Sequence, residues 1–117
     1  MYIPSSALYV KGSLSNTERG FKFTLKNTLV DATILGPISL VVDGKSVEQG
    51  KIKVISQGKE MANSEISAAN PTVFYINMPV EVIVEGAKLE PGEHVIVVET
   101  PTVYGVVKFE IKDQVTT

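Results

Sequence analysis

His94 is the one side chain of the sequence that could serve as a general base near neutral pH. Nucleophilic catalysis of the Ser-His-Asp kind needs a histidine that takes up and returns a proton. His94 follows a Pro91-Gly92 turn and opens an apolar segment, which is a typical place for a structural corner residue. A catalytic histidine is usually perturbed by its position in a cleft. We therefore predict a structural role for His94 and no catalytic residue in this chain.

Two pairs of glutamates are the other candidates for acid–base chemistry. Glu81 and Glu85 share one face of an apolar segment, and Glu93 and Glu99 share a face of a later one. Two carboxylates held a few Å apart can hydrolyse glycosides. Alternating glutamates are, however, the ordinary pattern of a solvated sheet face. We interpret both pairs as exposed and non-catalytic.

The composition argues against a metal site and against a bound cofactor. The chain has no cysteine and a single histidine, so the usual zinc ligands are missing. Asp31 or Asp43 could contribute to a calcium site with backbone carbonyls, but no acidic loop with alternating ligands surrounds them. The glycines are single turn residues and never form a phosphate-binding G-x-x-x-x-G-K loop. We predict no metal and no cofactor.

The charge distribution bears on nucleic acids as partners. Residues 1–60 carry eight basic and five acidic side chains, and residues 61–117 carry three basic and eight acidic ones. If their strands are neighbours, four lysines form a modest basic stripe: Lys22, Lys26, Lys51 and Lys53. The net charge is nevertheless −2, and Arg19 is the only arginine. Attraction to a phosphate backbone would be weak, so we predict no nucleic-acid partner.

The elements that must position these residues are predicted to be strands. The chain has 17 Val and 10 Ile against 7 Leu and 6 Ala, and branching at Cβ favours sheets over helices. In residues 20–29 an apolar face alternates with a polar one. The apolar face comprises Phe21, Phe23, Leu25 and Leu29, and the polar face comprises Lys22, Thr24, Lys26 and Thr28.

Turn signals separate the predicted strands and define the fold class. Asp43-Gly44 is a dipeptide that tight hairpins prefer, and Pro91-Gly92 marks another turn. We predict one all-β domain over residues 1–117, an immunoglobulin-like antiparallel β-sandwich of about eight short strands, with a possible short helix near residues 59–69. Residues 72–76 and 94–100 are apolar on both faces and are predicted to be central strands. The predicted core comprises Leu8, Val10, Phe21, Phe23, Leu25, Leu40, Val42, Ile52, Val54, Val82, Val84, Val97, Phe109 and Ile111.

Two resemblances to known families accompany this pattern. The motif Leu-Glu-Pro-Gly-Glu-His at residues 89–94, followed by alternating valines, resembles the turn into a late strand of immunoglobulin-like modules, with His94 where tyrosine is usual. This motif, together with residues 16–23 and 40–44 in the same order, is similar to the small β subunit of bacterial carbon-glycoside deglycosidases. That resemblance implies a β-sandwich subunit whose metal-dependent barrel partner carries the catalysis.

The tyrosines are the candidate interface residues. Tyr9 is predicted on an outward strand face beside Lys11, Tyr75 on a face opposite that of Phe74, and Tyr104 in a turn. Tyrosine is enriched where proteins bind each other, so all three are candidates for an interface. We predict a non-catalytic interaction or accessory module that binds itself, as a homo-oligomer, or a larger protein subunit. The alternative is the small subunit of a deglycosidase-like complex.

Membrane association is not expected. The purest apolar run, residues 95–98, is far shorter than the roughly 20 residues of a membrane-spanning helix. The start Met-Tyr-Ile-Pro-Ser-Ser lacks the basic and apolar regions of a signal peptide. We therefore expect a cytoplasmic protein.

Overall fold

The computed structural model describes residues 3–116, which form eleven strands and three short 3₁₀ turns. The strands are β1 (Ser15–Asn16), β2 (Gly20–Lys26), β3 (Ala32–Ile34), β4 (Ser39–Val42), β5 (Lys45–Ser46), β6 (Ile52–Ser56), β7 (Lys59–Ala62), β8 (Thr72–Phe74), β9 (Pro79–Glu85), β10 (Gly92–Thr102) and β11 (Gly105–Val115). The 3₁₀ turns are Ser5–Ala7, Gln49–Lys51 and Asn63–Glu65. The prediction of an all-β sandwich is confirmed, although two of the eleven strands have only two residues each.

The strands form two antiparallel sheets. Sheet I has the order β1-β2-β9-β6-β7. In sheet II, β10 pairs with β11 along one side over its whole length. Its other side pairs first with β4 and then, at Thr102, with β3, while β5 and β8 lie outside these two strands. Residues 94–100 are thus part of a central strand, as predicted, whereas β8 lies at the end of its sheet and stops at Phe74.

The core lies between the inner faces of the two sheets. Phe23 and Phe109, from opposite sheets, are 0% and 2% exposed. The alternation predicted for β2 is confirmed from Phe21 to Leu25, but the strand ends at Lys26 and Leu29 is 50% exposed. Val97, predicted in the core, is only half-buried because the inward-facing residues of β10 are Ile96, Val98 and Thr100. The buried set also includes Leu14, Ile34, Ile38, Ile66, Phe74, Val80, Ile96, Val98, Val107 and Val115.

The helix predicted near residues 59–69 is wrong. Gln57 and Gly58 have φ values of 55° and 75°, so they form a tight turn that pairs β6 with β7 as a hairpin. Such turns need positive φ at both central positions. The chain then passes through the 3₁₀ turn Asn63–Glu65 before it reaches β8. No helix within residues 3–116 is long and apolar enough to cross a membrane.

Residues 3–10 connect the two sheets along one side of the sandwich. The Ile3 N–H donates to the Lys108 carbonyl of β11 at 2.9 Å, and the Val10 N–H donates to the Thr24 carbonyl of β2 at 3.1 Å. The chain therefore crosses from sheet II to sheet I between residues 3 and 10. This irregular path also explains why Val10, predicted in the core, is 37% exposed.

Asn63 is a fully buried polar residue that links its 3₁₀ turn to the residue before β4. Its Oδ1 accepts the Ile38 N–H at 2.8 Å. Its Nδ2 donates to the Ile38 carbonyl at 2.8 Å and to Gln49 Oε1 at 2.6 Å. All hydrogen-bonding groups of this amide are therefore used, which compensates for the cost of burying it.

We expect Asn63→Ala to lower the free energy of unfolding by about 1–3 kcal/mol, because it leaves the buried Ile38 N–H and carbonyl without their partner. Urea denaturation measures the change. Asn70→Ala is the matched control, since Asn70 is exposed and should lose less stability. Equal losses in the two variants would contradict this role for Asn63.

Candidate functional site

One end of the sandwich carries most of the exposed large apolar side chains. We call it the apolar end, defined by Leu29, Val30, Tyr75, Ile76, Val103 and Tyr104, each between 44% and 54% exposed. These residues come from three connections: residues 27–31 between β2 and β3, residues 75–78 between β8 and β9, and the two-residue turn between β10 and β11. Contiguous apolar surface of this kind marks binding sites on soluble proteins.

Asn27 holds the first of these connections in place. It is 2% exposed, and its Nδ2 donates to the Val30 carbonyl at 2.6 Å and to the Phe74 carbonyl at 2.7 Å. Its Oδ1 accepts the Leu29 N–H at 2.9 Å. The backbone carbonyl of Asn27 also accepts the N–H of Asn77, at 2.7 Å. One buried amide thus fixes the backbone that presents Leu29 and Val30 and ties it to β8.

Asp31 joins the other two connections to the first. Its Oδ1 accepts the Ile76 N–H at 2.8 Å, and its backbone carbonyl accepts the Tyr104 O–H at 2.9 Å. The Asp31 carboxylate, considered above as a calcium ligand, is therefore engaged by a backbone amide. No group of three or more His, Cys, Asp or Glu side chains suited to a metal occurs within residues 3–116.

Two of the three tyrosines predicted for an interface, Tyr75 and Tyr104, lie at the apolar end. Tyr9 does not, and the prediction that it faces outward is wrong. Its ring packs edge-on against Phe23, with centroids 6.3 Å apart, and its hydroxyl donates to Asp113 Oδ2 at 2.5 Å. The strand suggested for residues 8–14 does not form, because Tyr9 makes only an isolated bridge with Leu25 and a turn follows at residues 11–12. Tyr9 therefore faces inward, and Val10 is 37% exposed.

The Tyr9–Asp113 pair fastens the N-terminal segment to β11. Burial and the hydrogen bond to Asp113 raise the pKa of Tyr9 to about 12. Burial acts to raise the pKa of Asp113, but it is outweighed by hydrogen bonds from Tyr9 and from the N–H groups of Gly12 and Gln114. The pKa of Asp113 therefore lies below its usual value, and the carboxylate is charged at neutral pH.

Tyr9→Phe should lower the free energy of unfolding by about 1–3 kcal/mol, because the nearly buried Asp113 loses a donor. The same substitution should raise the pKa of Asp113, which carboxyl NMR titration measures. Tyr75→Phe removes a hydroxyl from an exposed ring and serves as the control, with a change within about 0.5 kcal/mol. Unchanged stability in Tyr9→Phe would show that the pair contributes nothing.

His94 has a partner on each ring nitrogen. Nδ1 lies 2.6 Å from Asp43 Oδ2, and Nε2 lies 2.6 Å from the Glu90 carbonyl. Asp43 Oδ1 accepts the Val95 N–H at 2.9 Å. The bond to Glu90 resembles the link to upstream backbone that tyrosine makes in immunoglobulin-like corners. Both partners accept hydrogen bonds, so the arrangement favours the imidazolium and leaves no ring nitrogen free for a substrate.

These contacts shift both pKa values. The hydrogen bond to Asp43, followed by that to Glu90, raises the pKa of His94. The Val95 N–H, followed by His94, lowers the pKa of Asp43. The stability that His94 contributes is fully present below its ordinary pKa of about 6.5 and is lost as pH rises through the raised value. The contribution of Asp43 is present above its ordinary value and is lost as pH falls through the lowered one.

We therefore expect the imidazole NMR signals of the single histidine to titrate with a pKa above about 6.5. Asp43→Asn should return that pKa toward the ordinary value. The advantage in melting temperature of the wild type over His94→Gln should shrink as the pH rises above about 6.5 and the imidazolium is lost. An advantage that grows with pH would contradict this arrangement.

The charged residues of sheet I do not form the predicted basic stripe. β9 lies between β2 and β6 and places Ile83 directly between Lys22 and Lys53, with Glu81 and Glu85 on either side of Ile83 along the strand. Lys53 Nζ lies 3.3 Å from Glu85 Oε1 and 3.8 Å from Glu60 Oε2. Lysines, glutamates and Ile83 are therefore mixed on this outer face.

Comparison with known proteins corrects the family resemblance suggested by the sequence. The family model described as "Hydroxymethylglutaryl-CoA reductase, N-terminal domain" matches residues 6–116, and no curated protein matches the chain. The resemblance to the deglycosidase small subunit is therefore wrong, and so is the alternative function that depended on it. The three segments that carried this resemblance, residues 16–23, 40–44 and 89–94, form the β1–β2 hairpin, the β4–β5 turn and the entry to β10. These are turn and strand patterns that unrelated sandwiches share. Because the match covers nearly the whole sequence, the chain belongs to the family of hydroxymethylglutaryl-CoA reductase N-terminal domains.

Proposed function

We propose that this chain is a non-catalytic accessory domain of a hydroxymethylglutaryl-CoA reductase and that its apolar end contacts the catalytic part of that enzyme. The observation that carries the proposal is the family match over residues 6–116. In this proposal the reduction of hydroxymethylglutaryl-CoA takes place on other residues, outside this sandwich. The domain supplies a rigid surface for assembly.

The geometry of the polar residues supports a non-catalytic role. Both ring nitrogens of His94 are occupied by acceptors, so the histidine has no nitrogen free to exchange a proton with a substrate. Glu81 and Glu85 lie on the outer face of sheet I, where Lys53 pairs with Glu85. These side chains therefore contribute to the stability and the solubility of the domain.

The geometry of the apolar end supports a role in docking. Its six defining side chains are uncharged, so the complementary surface on the reductase should be apolar as well. Tyr75 and Tyr104 are of a residue type that often dominates binding energy. Asn27 and Asp31 hold the three connections in place in the unbound chain. Binding a partner therefore costs less conformational entropy, because these loops are already ordered.

Sedimentation of the purified chain with the catalytic domain of the reductase from the same organism tests the proposal. We expect a complex, and we expect Tyr104→Lys or Ile76→Lys to weaken it by about tenfold or more, since each places a charge in an apolar contact. Val10→Lys is the matched control, because Val10 is exposed but lies outside the apolar end. It should leave the affinity unchanged.

Two results would contradict the docking of this chain to the reductase. One is a chain that shows no association with the reductase at concentrations where both are folded. The other is an equal loss of affinity in Val10→Lys and Tyr104→Lys. If the chain forms only multiples of itself and these are broken by Tyr104→Lys, the apolar end binds a second copy instead. Conversion of hydroxymethylglutaryl-CoA by the isolated chain, followed by chromatography of the substrate, would overturn the non-catalytic assignment.

A further inference from the structure

Residues 87–91, which connect β9 to β10, lie between two glycines and belong to no strand. We call this segment the strap. Gly86 and Gly92 have φ values of 128° and 121°, a conformation that residues with a side chain rarely adopt. The backbone therefore bends at a glycine at each end of the strap, and the position of the strap depends on the side chains that hold it.

Two side chains hold the strap against the sandwich. Asn16 Nδ2 donates to the Leu89 carbonyl at 2.8 Å, and Asn16 Oδ1 accepts the Leu89 N–H at 2.8 Å. The Glu90 carbonyl lies 2.6 Å from Nε2 of His94. Held in this way, Leu89 packs against the core and lines the same groove as the buried ring of Phe21. The strap therefore covers this end of the core.

The contact between His94 and Glu90 requires a second proton on the imidazole. A neutral imidazole carries one N–H, whereas the Asp43 carboxylate and the Glu90 carbonyl can both only accept. The carboxylate is the stronger acceptor, so the remaining N–H stays on Nδ1. Nε2 then directs a lone pair at the Glu90 carbonyl oxygen, and the two repel each other. Loss of the second proton to solvent thus removes one anchor of the strap.

The charged groups around His94 favour its protonated form. The elements packed around it carry Asp43 on the β4–β5 turn, Lys45 on β5, Lys88 and Glu90 on the strap, Glu93 on its own strand, Asp113 opposite it on β11, and Lys11 beside Asp113. The direct partners, Asp43 and Glu90, raise the pKa of His94. The three lysines are exposed, so solvent and salt screen their charges. The contact with the strap is therefore present below about pH 6.5 and is lost as the pH rises through the raised pKa.

We propose that the strap is a pH-sensitive closure at this end of the sandwich, which protonated His94 holds shut and which opens about Gly86 and Gly92 when His94 loses its second proton. Asn16 then holds Leu89 without the support of the neighbouring anchor. Leu89 leaves the groove more often, and the apolar surface around Phe21 is uncovered. The proposal does not depend on docking to a reductase, because the strap and the apolar end lie at opposite ends of the sandwich.

Hydrogen–deuterium exchange at Leu89 in the full chain, followed by NMR, tests the strap, because this N–H is bonded to Asn16 when the strap is shut. After correction for the intrinsic effect of pH on exchange, we expect protection at Leu89 to fall about two- to tenfold as His94 loses its proton, the effect of one lost hydrogen bond. The midpoint should match that of the imidazole signals. Ile76, whose N–H is also bonded to a side-chain oxygen, should keep its protection.

Two variants separate the titration of His94 from other effects of pH. His94→Gln keeps a polar side chain that does not titrate, so its protection at Leu89 should stay constant with pH. Asp43→Asn suits the φ of 50° at this position, because asparagine tolerates the left-handed region. It should move the titration of His94 and the opening at Leu89 to lower pH together.

Three results would overturn this closure. They are constant corrected protection at Leu89 through the titration of His94, an equal loss of protection in His94→Gln, and a midpoint at Leu89 that stays in place in Asp43→Asn while that of His94 moves. If His94→Gln does not fold, the comparison of the two midpoints in Asp43→Asn decides.

Discussion

The hydrogen bonds of the Asn27 side chain are the interaction on which the apolar end depends. The residue follows β2 directly and is almost completely buried, so each polar atom of its amide needs a partner inside the protein. Those partners lie on the same connection, at Leu29 and Val30, and on β8, which brings the end of sheet I against the edge of sheet II. Without them the backbone at Leu29 and Val30 would lose its anchor, and the apolar surface would lose its shape. Asp31 extends this anchor to Ile76 and Tyr104.

Hydrogen bonds from single polar side chains hold other loops of the sandwich in the same way, while the contact between the two sheets is apolar. Asn63 links its 3₁₀ turn to Ile38, Asp113 holds Tyr9 and Gly12, and Asp43 joins the β4–β5 hairpin to the start of β10. Hydrophobic burial favours compaction without fixing direction. Directional hydrogen bonds at these few points determine which loops meet. The outcome is one end of the sandwich that presents ordered apolar side chains.

The parts of the fold that local pattern determines could be predicted. The excess of Val and Ile indicates sheets, the alternation from Phe21 to Leu25 matches β2, and Asp43-Gly44 forms the expected tight turn, with φ values of 50° and 85°. Gln57-Gly58 forms a similar turn, but glutamine rarely has positive φ, so the sequence does not reveal the hairpin and the helix-compatible pattern of residues 59–69 is misleading. The apolar end could be predicted only through Tyr75 and Tyr104. The partners of Asn27 and Asp31 lie up to 73 residues away, at Tyr104, and no local pattern specifies such pairs. The family could not be inferred from the turn motifs either, because turns of this kind occur in many unrelated sandwiches.

Hydrogen–deuterium exchange of the full chain, alone and with the reductase catalytic domain, tests most directly whether the apolar end is the docking surface. We expect slower exchange on binding at residues 29–31, 75–78 and 103–104, with no change at the opposite end around Asp43 and His94. Protection confined to the outer faces of the sheets, or no protection under conditions in which the two proteins sediment together, would contradict it.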